Sequence, residues 1–409
     1  MTGWCPTPAS VDYDLIIVGG GLAGSALGKS LAERGARVLI VEREETFRDR
    51  VRGEGMHPWG VAETRTLGIE RRLLETCGQP IRWWNVYAGS TLQSRRDLIA
   101  TTPVHVGGLD FYHPDMQRVL LDLAEGAGAE VRRRAEVTAV APGPLPEVSV
   151  RINGTKERLR ARLVAGADGR TSRVRQAAGF RLQRDPQRLV IAGVLHAGLV
   201  VSEDAVHTVS NPSIGQAVLV FPIGRGRFRS YFAYRRYGPY RPLSGGKHAS
   251  DFVAACIETG SPAEWFQGAQ VVGPLATFEG ADRWVDHPYR DGVVLIGDAA
   301  AASDPCWGCG LALTLRDVRV LRDLLLATPD WDTAASEYAR EHDRYYDALH
   351  RLHGWMRDLL YEVGPEANAR RARALPLLAK EPERRPDLLG LGPEAPSDEA
   401  ARRRLVAED

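Results

Sequence analysis

The sequence predicts an α/β fold in which a parallel-stranded domain is split by an inserted, mainly antiparallel sheet and followed by a helical C-terminal region. Three observations predict it. Short apolar runs, DLIIV at 14–18, RVLIVE at 37–42 and GVVLIG at 292–297, read as strands buried on both faces. Between them, over roughly 183–278, β-branched and aromatic residues alternate with polar ones in AVLVFPIG and RFRSYFAYRRY, as in an antiparallel sheet. After Gly364 the chain is rich in Ala, Arg, Glu and Pro and reads as a helical or frayed solvated tail.

In chain order, the strand at 14–18 runs into GGGLAG at 19–24. Leu22, Ala26, Leu27, Ser30 and Leu31 then follow at helical spacing, closing near Gly35 before the second strand. This is a complete β–turn–α–β unit. Residues 48–60 are loop-like, with Arg50, Arg52, Gly53, Glu54, Gly55 and Pro58. A helix is expected at 114–126, a strand at 130–140, a strand ending on a turn in LVAGADG at 163–169, and a helix at 311–326.

Composition narrows the function. The 409 residues carry 53 basic and 52 acidic side chains, a net charge of +1. A nucleic-acid-binding protein normally shows a dominant basic face, so the balance argues against that class. A chain this long buries enough surface to need no disulfide or metal staple. No run approaches the roughly 18 apolar residues of a membrane span. The opening MTGWCPTPAS has neither the basic start nor the apolar stretch of a leader. Five scattered cysteines make no secreted disulfide framework. The expectation is a soluble, cytoplasmic globular enzyme or binding protein.

Gly19, Gly21 and Gly24 form G-x-G-x-x-G after a strand and opening a helix. The first permits the turn, the second lets backbone approach a pyrophosphate, and the third lets helix and strand pack closely. The helix start, with Leu22 and Ala23, offers N–H donors to phosphates. Glu42, next to Arg43, lies 18 residues past Gly24, where an acid accepts from ribose hydroxyls. This unit predicts a Rossmann-like dinucleotide site without separating NAD from FAD.

Two further segments point to FAD. LVAGADGRTSRVR sets Asp168 and Gly169 at a strand end, followed by Ser172 and Arg175. GVVLIGDAAAASDPCWGCGLALTLRD sets Asp298 at a strand end, with Pro305, Gly308 and Gly310 before a helix. With the glycine turn, these segments resemble the three ordered fingerprints of the single-component FAD-dependent aromatic monooxygenases typified by para-hydroxybenzoate hydroxylase, over about residues 12–350. The resemblance implies non-covalent FAD. Reduction by NAD(P)H, oxygen addition at flavin C4a, and transfer of one oxygen from that hydroperoxide to an aromatic or polyketide-like metabolite would follow.

It also implies residue roles. Asp298 would accept from a ribityl hydroxyl. The helix starting near Gly310 and Leu311 would aim its N-terminus at the flavin pyrimidine edge, while Gly308 and Gly310 let backbone approach the ring. Arg52 and Pro305 would lie near the ring. His113 and Gln117 would contact the cofactor, and Val137 would offer backbone to the adenine. Asp168, Ser172 and Arg175 would couple the two cofactors. The chemistry is flavin-borne, so no side chain is assigned as catalytic and no metal is expected. Relatives usually carry His where this chain has Ala301 and Asn where it has Ala312. The WW at 83–84 is not the W-x-W-x-I-P signature of flavin halogenases, whose lysine has no counterpart here.

The implied domains are 12–182 for the first part of the FAD-binding domain, with some substrate-side segments near 80–112. Residues 183–278 form the substrate sheet, 279–330 the second part of the FAD domain, and 331–409 the helical region and charged tail. Trp83, Tyr87, Phe111, Tyr231 and Tyr234 could line the substrate site or simply fill the core. Cys306 and Cys309 form C-x-x-C, but their position differs from that of dithiol flavoproteins, so packing of the loop is expected. Two alternatives stand beside oxygenation. One is a flavin-dependent reductase of the geranylgeranyl-reductase type, whose members carry a G-E loop like Gly53-Glu54. The other is a catalytically silent FAD-binding protein.

Overall fold

The computed structural model describes residues 11–408; the opening segment read above for a leader, and Cys5 with it, lie outside the described residues. The first half contributes β1 (Tyr13–Val18), α1 (Leu22–Ala32), β2 (Val38–Val41), α2 (Pro58–Thr66), α3 (His113–Gly126) and β3 (Thr155–Gly166). The second contributes β4 (Leu189–Ala197), β5 (Gln216–Pro222), β6 (Arg227–Arg235), β7 (Val293–Leu295), α4 (Gly310–Ala327) and α5 (Trp331–Leu360).

β1 pairs in parallel with β2 and β3, and β3 pairs in parallel with β7. The register brings Val18 opposite both Val41 and Gly166, and Gly166 opposite Leu295. The three fingerprints, which follow these residues in sequence, therefore leave the sheet at one level from the carboxyl ends of adjacent strands. In open α/β sheets that edge is where ligands bind. The apolar runs are needed because both faces are covered: α1, α3, α4 and α5 pack on one, and a hairpin layer from 135–152 packs on the other.

The central sheet runs β4, β6, β5, then 205–211, 83–88 and 91–97, antiparallel except where 205–211 meets 83–88. Its alternation sorts side chains between two cores. Phe228, Phe232 and Tyr234 pack beneath the helix Ala249–Thr259. Tyr231 and Ala233 point the other way, toward Cys306 and Tyr361.

Three expectations change. The loop-like stretch 48–60 already contains the start of α2, with Pro58 at its first turn, where the missing N–H costs nothing. The strand expected at 130–140 breaks into Glu130–Arg132 and Ala135–Ala141 around Arg134, whose φ is +54°. The tail is not frayed. The helices Pro365–Lys380 and Glu399–Val406 bury Leu378, Leu405 and Val406 against Met356 and Leu359 of α5. Between those helices, Asp387 takes a bidentate ion pair from Arg96 at 2.7 and 2.8 Å, and the Leu388 carbonyl accepts from Trp59 Nε1 at 3.1 Å. No helix among the described residues is long and apolar enough to cross a membrane.

Candidate functional site: a dinucleotide groove

A groove of about 580 Å³ opens along the strand ends. Gly19, Gly21, Leu22, Ala23, Glu42, Arg43, Arg52, His113, Gln117, Val137, Asp168, Asp298, Pro305, Gly308, Gly310 and Leu311 all line it. Gly24 does not, for the reason its position implied: a Cβ there would sit 1.9 Å from the Gly19 carbonyl oxygen and 2.9 Å from Ile17. Gly19 has φ +106°, and a Cβ on it would meet the Ala167 carbonyl oxygen at 2.4 Å. The turn is thus pressed against the second fingerprint and admits no side chain.

Two helix N-termini end in this groove. α1 begins at Gly21 and α4 at Cys309; neither has a side-chain cap or an acidic residue in its first turn. Each carries roughly half a positive charge and free N–H donors. Uncapped helix starts are suited to a ligand that supplies acceptors.

Two carboxylates, Glu42 and Asp298, stand in the groove. Glu42 accepts from the Gly20 N–H at 2.7 Å and the Glu44 N–H at 2.8 Å, which fixes it at the end of β2 with lone pairs to spare. Asp298, half-buried, has Arg52 at 3.8 Å as a loose neighbour. Burial, outweighing the Gly53 carbonyl that its Nδ1 meets at 2.9 Å, holds the His113 imidazole down to about 4. His113 is therefore neutral near pH 7, donating at Nδ1 and leaving Nε2 as an acceptor.

Other positions turn out differently. Asp168 reaches the groove, yet its carboxylate also accepts from the Ser172 hydroxyl and from the Arg173 N–H at 2.7 Å, capping the helix Arg173–Ala177. Arg175 is buried outside the groove lining. It donates to the Ala299 carbonyl at 3.0 Å and the Arg170 carbonyl at 2.9 Å, tying the second fingerprint to the third. Gly308 has a local reason to be glycine. Its φ is +66°, and a Cβ would meet the His57 ring at 3.0 Å, so the glycine makes room for His57. Ala312 also has a local cause. A Cβ on Gly60 of α2 would lie 2.4 Å from the Ala312 Cβ, so α2 and α4 touch closely at this pair of small residues. Ala301 is buried in a short strand against Trp284.

Of the aromatic candidates for the substrate side, Tyr231 alone faces the groove layer, donating to the Arg52 carbonyl at 2.6 Å. Tyr87 and Tyr234 lie with the opposite core, Phe111 lies in the main core, and Trp83 is sandwiched by Arg82 and Arg95. Strand alternation separates positions 231 and 234, which the sequence reading had grouped. Trp84, Phe221 and Phe278 belong to the groove-side layer instead.

Two networks escaped sequence reasoning. Arg229, wholly buried on β6, holds Glu54 at 2.7 Å and Asp49 at 2.8 Å. Glu54 also accepts from the His113 N–H at 3.1 Å. The pair fastens the Arg52 loop to the central sheet, so the G-E loop has a structural duty. The second network surrounds Cys309. Burial alone would raise its thiol, but hydrogen bonds and charge from His353 and His57 bring it down to about 6. His353 lies between Cys309 and Asp282, its Nδ1 3.4 Å from the Asp282 carboxylate. Burial opposes its charging, yet these partners lift it to about 10. His57 Nε2 donates to the Trp307 carbonyl at 2.8 Å. Cys306 is buried, and burial together with Asp304 pushes its thiol up. Both cysteines are free.

A parallel sheet whose strand ends hold a glycine turn, an acid at the end of the second strand and a second uncapped helix start has the make-up of a dinucleotide-binding domain. The comparisons agree. A family model described as "FAD binding domain" matches residues 12–338, and the chain belongs to that family. It is 27% identical over 310 residues to digeranylgeranylglycerophospholipid reductase 1 of Methanococcoides burtonii, covering 73% of this chain and 71% of that one. It is 25% identical over 372 residues to the rifampicin monooxygenase of Streptomyces venezuelae, covering 87% and 73%. The p-nitrophenol 4-monooxygenase PnpA from Pseudomonas putida shares the fold at TM-score 0.77 and 19% identity, with 97% of each chain covered. The resemblance to the single-component FAD monooxygenases therefore holds in family and in fold.

Proposed function

We propose that this protein uses FAD, NAD(P)H and O2 to insert one oxygen atom into an aromatic or polyketide-like metabolite. The observation that carries the reading is the convergence of two uncapped helix starts and two hydroxyl-accepting carboxylates, Glu42 and Asp298, on one groove. These groups fit FAD: α1 faces the charge of a pyrophosphate, Glu42 a ribose, Asp298 a ribityl chain, and α4 an electron-rich ring edge. When bound, the flavin supplies the oxygen-activating chemistry. The chain's own work is placement and protection. α4 stabilises negative charge beside Gly310. Phe278 lines the groove with apolar surface that keeps water from the reacting side, and Phe221 and Tyr231 pack in the layer behind it. Arg175 and Arg229 hold the two loops that carry the ligand contacts.

The test is reconstitution with FAD, followed by NAD(P)H oxidation with an aromatic panel under labelled oxygen. One FAD per chain and a product heavier by one labelled oxygen are expected. A protein that cannot be loaded with FAD defeats the proposal. The likeness to digeranylgeranylglycerophospholipid reductases favours one second reading, reduction of an isoprenoid double bond. That reading requires a product heavier by two hydrogens, with no oxygen uptake in step.

A further inference from the structure

Two acids meet at the end of a short ladder on the far side of the central sheet's entry. Leu182–Arg184 pairs antiparallel with Arg283–Val285, with Arg184 opposite Arg283. The register runs on by one residue, since the Asp185 N–H donates to the Asp282 carbonyl at 3.0 Å. Residues directly opposite in such a pair send their side chains to one face, where like charges repel. Two carboxylates so placed call for a cation between them.

His350 of α5 reaches the same point from a remote segment. Its Nε2 lies 3.0 Å from the Asp185 carboxylate. One ring nitrogen of His350 and one oxygen of each acid all lie within 4.8 Å of one another. The imidazole is held in place, stacked on Tyr346 with centroids 5.9 Å apart and tilted against Trp284 at 4.5 Å. Asp282 is 1% exposed, and its two oxygens are unequally served. Oδ1 accepts from the Asp304 N–H at 3.2 Å and the Tyr346 hydroxyl at 3.4 Å, and faces His353 Nδ1 at 3.4 Å. Oδ2 is buried and has no hydrogen-bond partner among the described residues. Such an orphaned oxygen is costly unless something outside the chain serves it. The other cations nearby are Arg357, 3.5 Å from Asp185, and His353 on Oδ1; neither bonds Oδ2. Asp185 borders a cleft of about 600 Å³, so the cluster has a way in from solvent.

We infer that Asp185, Asp282 and His350 form a binding site for a divalent transition-metal ion, best suited to Zn2+, that ties three remote segments together. One nitrogen and two oxygen donors suit Zn2+, whereas Mg2+ and Ca2+ are served by oxygen alone. Zinc–ligand distances of about 2.0–2.2 Å put tetrahedral donor atoms roughly 3.4 Å apart, so the three close only slightly around it. Water completes the shell. The ion displaces the proton shared by His350 Nε2 and Asp185, which passes to the buffer. Its work is structural: it joins the lead into β4 to α5 and, through Asp282 and Asp304, to the turn at Pro305–Trp307. The spacing 185, 282, 350 leaves no motif in the sequence.

The experiment uses tag-free full-length protein, stripped with EDTA and equilibrated by dialysis against ZnCl2, with melting followed in parallel. One Zn2+ per chain is expected, with a melting temperature raised by about 5 °C at a hundredfold excess over Kd. Excess MgCl2 should not displace it. Asp282→Asn and His350→Gln should each weaken zinc binding by more than about tenfold, the loss typical of mere supporting residues. His350 is partly exposed, so its variant tests the site even where Asp282→Asn fails to fold. Arg357→Gln, which removes a competing cation, should tighten binding, and Cys309→Ser should leave it unchanged. No zinc above the dialysis buffer, undiminished affinity in His350→Gln, displacement by Mg2+, looser binding in Arg357→Gln or loss of zinc in Cys309→Ser each overturns the site. Zinc is counted with and without bound FAD, so a chain that takes no FAD defeats the flavin reading and leaves this one standing.

Discussion

Two loops aim helix starts into the groove, and they are built on different principles. The turn at Gly19–Gly24 is a backbone object. Its glycines are dictated by carbonyl oxygens 1.9 and 2.4 Å from where a Cβ would be, and its one ionisable partner, Glu42, is 18 residues away on the next strand. The loop at Pro305–Gly310 is a side-chain object. Its helix start carries a thiol between His57 and His353, backed by Asp282, so three distant segments converge on one residue. Backbone constraints leave a local signature in sequence, whereas a buried polar network leaves only scattered residues. The first loop is a rigid cradle, and the second holds titratable groups behind the place where the ring would lie.

The largest way to break this contrast is Arg229→Met. Arg229 anchors Glu54, and the strand that follows Glu54 leads to His57, so the anchor serves the second loop. Removing one partner of a buried pair strands the other, at a cost of about 3–5 kcal/mol. Urea unfolding should show that loss. Arg229→Met/Glu54→Gln should recover part of it, because the more deeply buried of the two stranded charges is gone and only that of Asp49 remains. A single variant as stable as the unaltered protein would mean that the loop holds itself.

Next come the two glycines. Gly24→Ala drives a Cβ into backbone, which cannot give way locally; about 1–3 kcal/mol and poor FAD retention are expected. Gly308→Ala forces a left-handed alanine, at about 1–2 kcal/mol, against an imidazole that can tilt. Calorimetry of both variants should rank Gly24→Ala as the more damaging. The reverse order would make the second loop the stiffer one.

Glu42→Ala tests the groove itself. A hydrogen bond to a charged group contributes about 1.5–3 kcal/mol, so FAD titration should show a ten- to hundredfold weaker Kd. Asp298→Ala should fall in the same range, while unchanged titrations for both variants would remove these carboxylates from the cofactor site.

These ranks mirror what could be read in advance. Gly19, Gly21, Gly24, Glu42 and Asp298 were readable because strand ends and tight turns fix residue type position by position. Arg175 was readable as a family residue but not in its function, since only the folded chain shows it donating to the Ala299 and Arg170 carbonyls. Tyr234 stayed open between substrate site and core for want of a register: alternation separates it from Tyr231, but only pairing shows which face meets the groove. Arg229 with Glu54, and Cys309 with His353, were invisible because charge pairs between remote segments have no period or spacing to find.

The smallest and sharpest test concerns Cys309 and Cys306. With its folded pKa drawn down to about 6 from an ordinary 9.0, the Cys309 thiol binds fewer protons than the unfolded chain between those values, so it favours folding increasingly as pH rises through that window. His353, raised to about 10 from 6.5, has the opposite slope: its contribution is full below pH 6.5 and is lost as pH climbs toward 10. The two slopes cancel between about 6.5 and 9, where folded and unfolded pairs each hold one proton. Stability attributable to the pair should therefore be flat across that range, fall on the acid side only between about pH 6.5 and 6 as the thiolate is protonated, and fall on the alkaline side between about 9 and 10 as His353 loses its proton. Cys309→Ser should abolish the acid-side fall and the thiolate absorbance step near pH 6. Cys306→Ser, whose thiol burial keeps protonated, should alter neither. Both variants should keep FAD and most turnover, because the loop uses the cysteines as packing and charge rather than as a dithiol. A hundredfold loss of turnover in both with FAD retained, about 2.7 kcal/mol of barrier, would turn the second loop from a titratable support into a redox device.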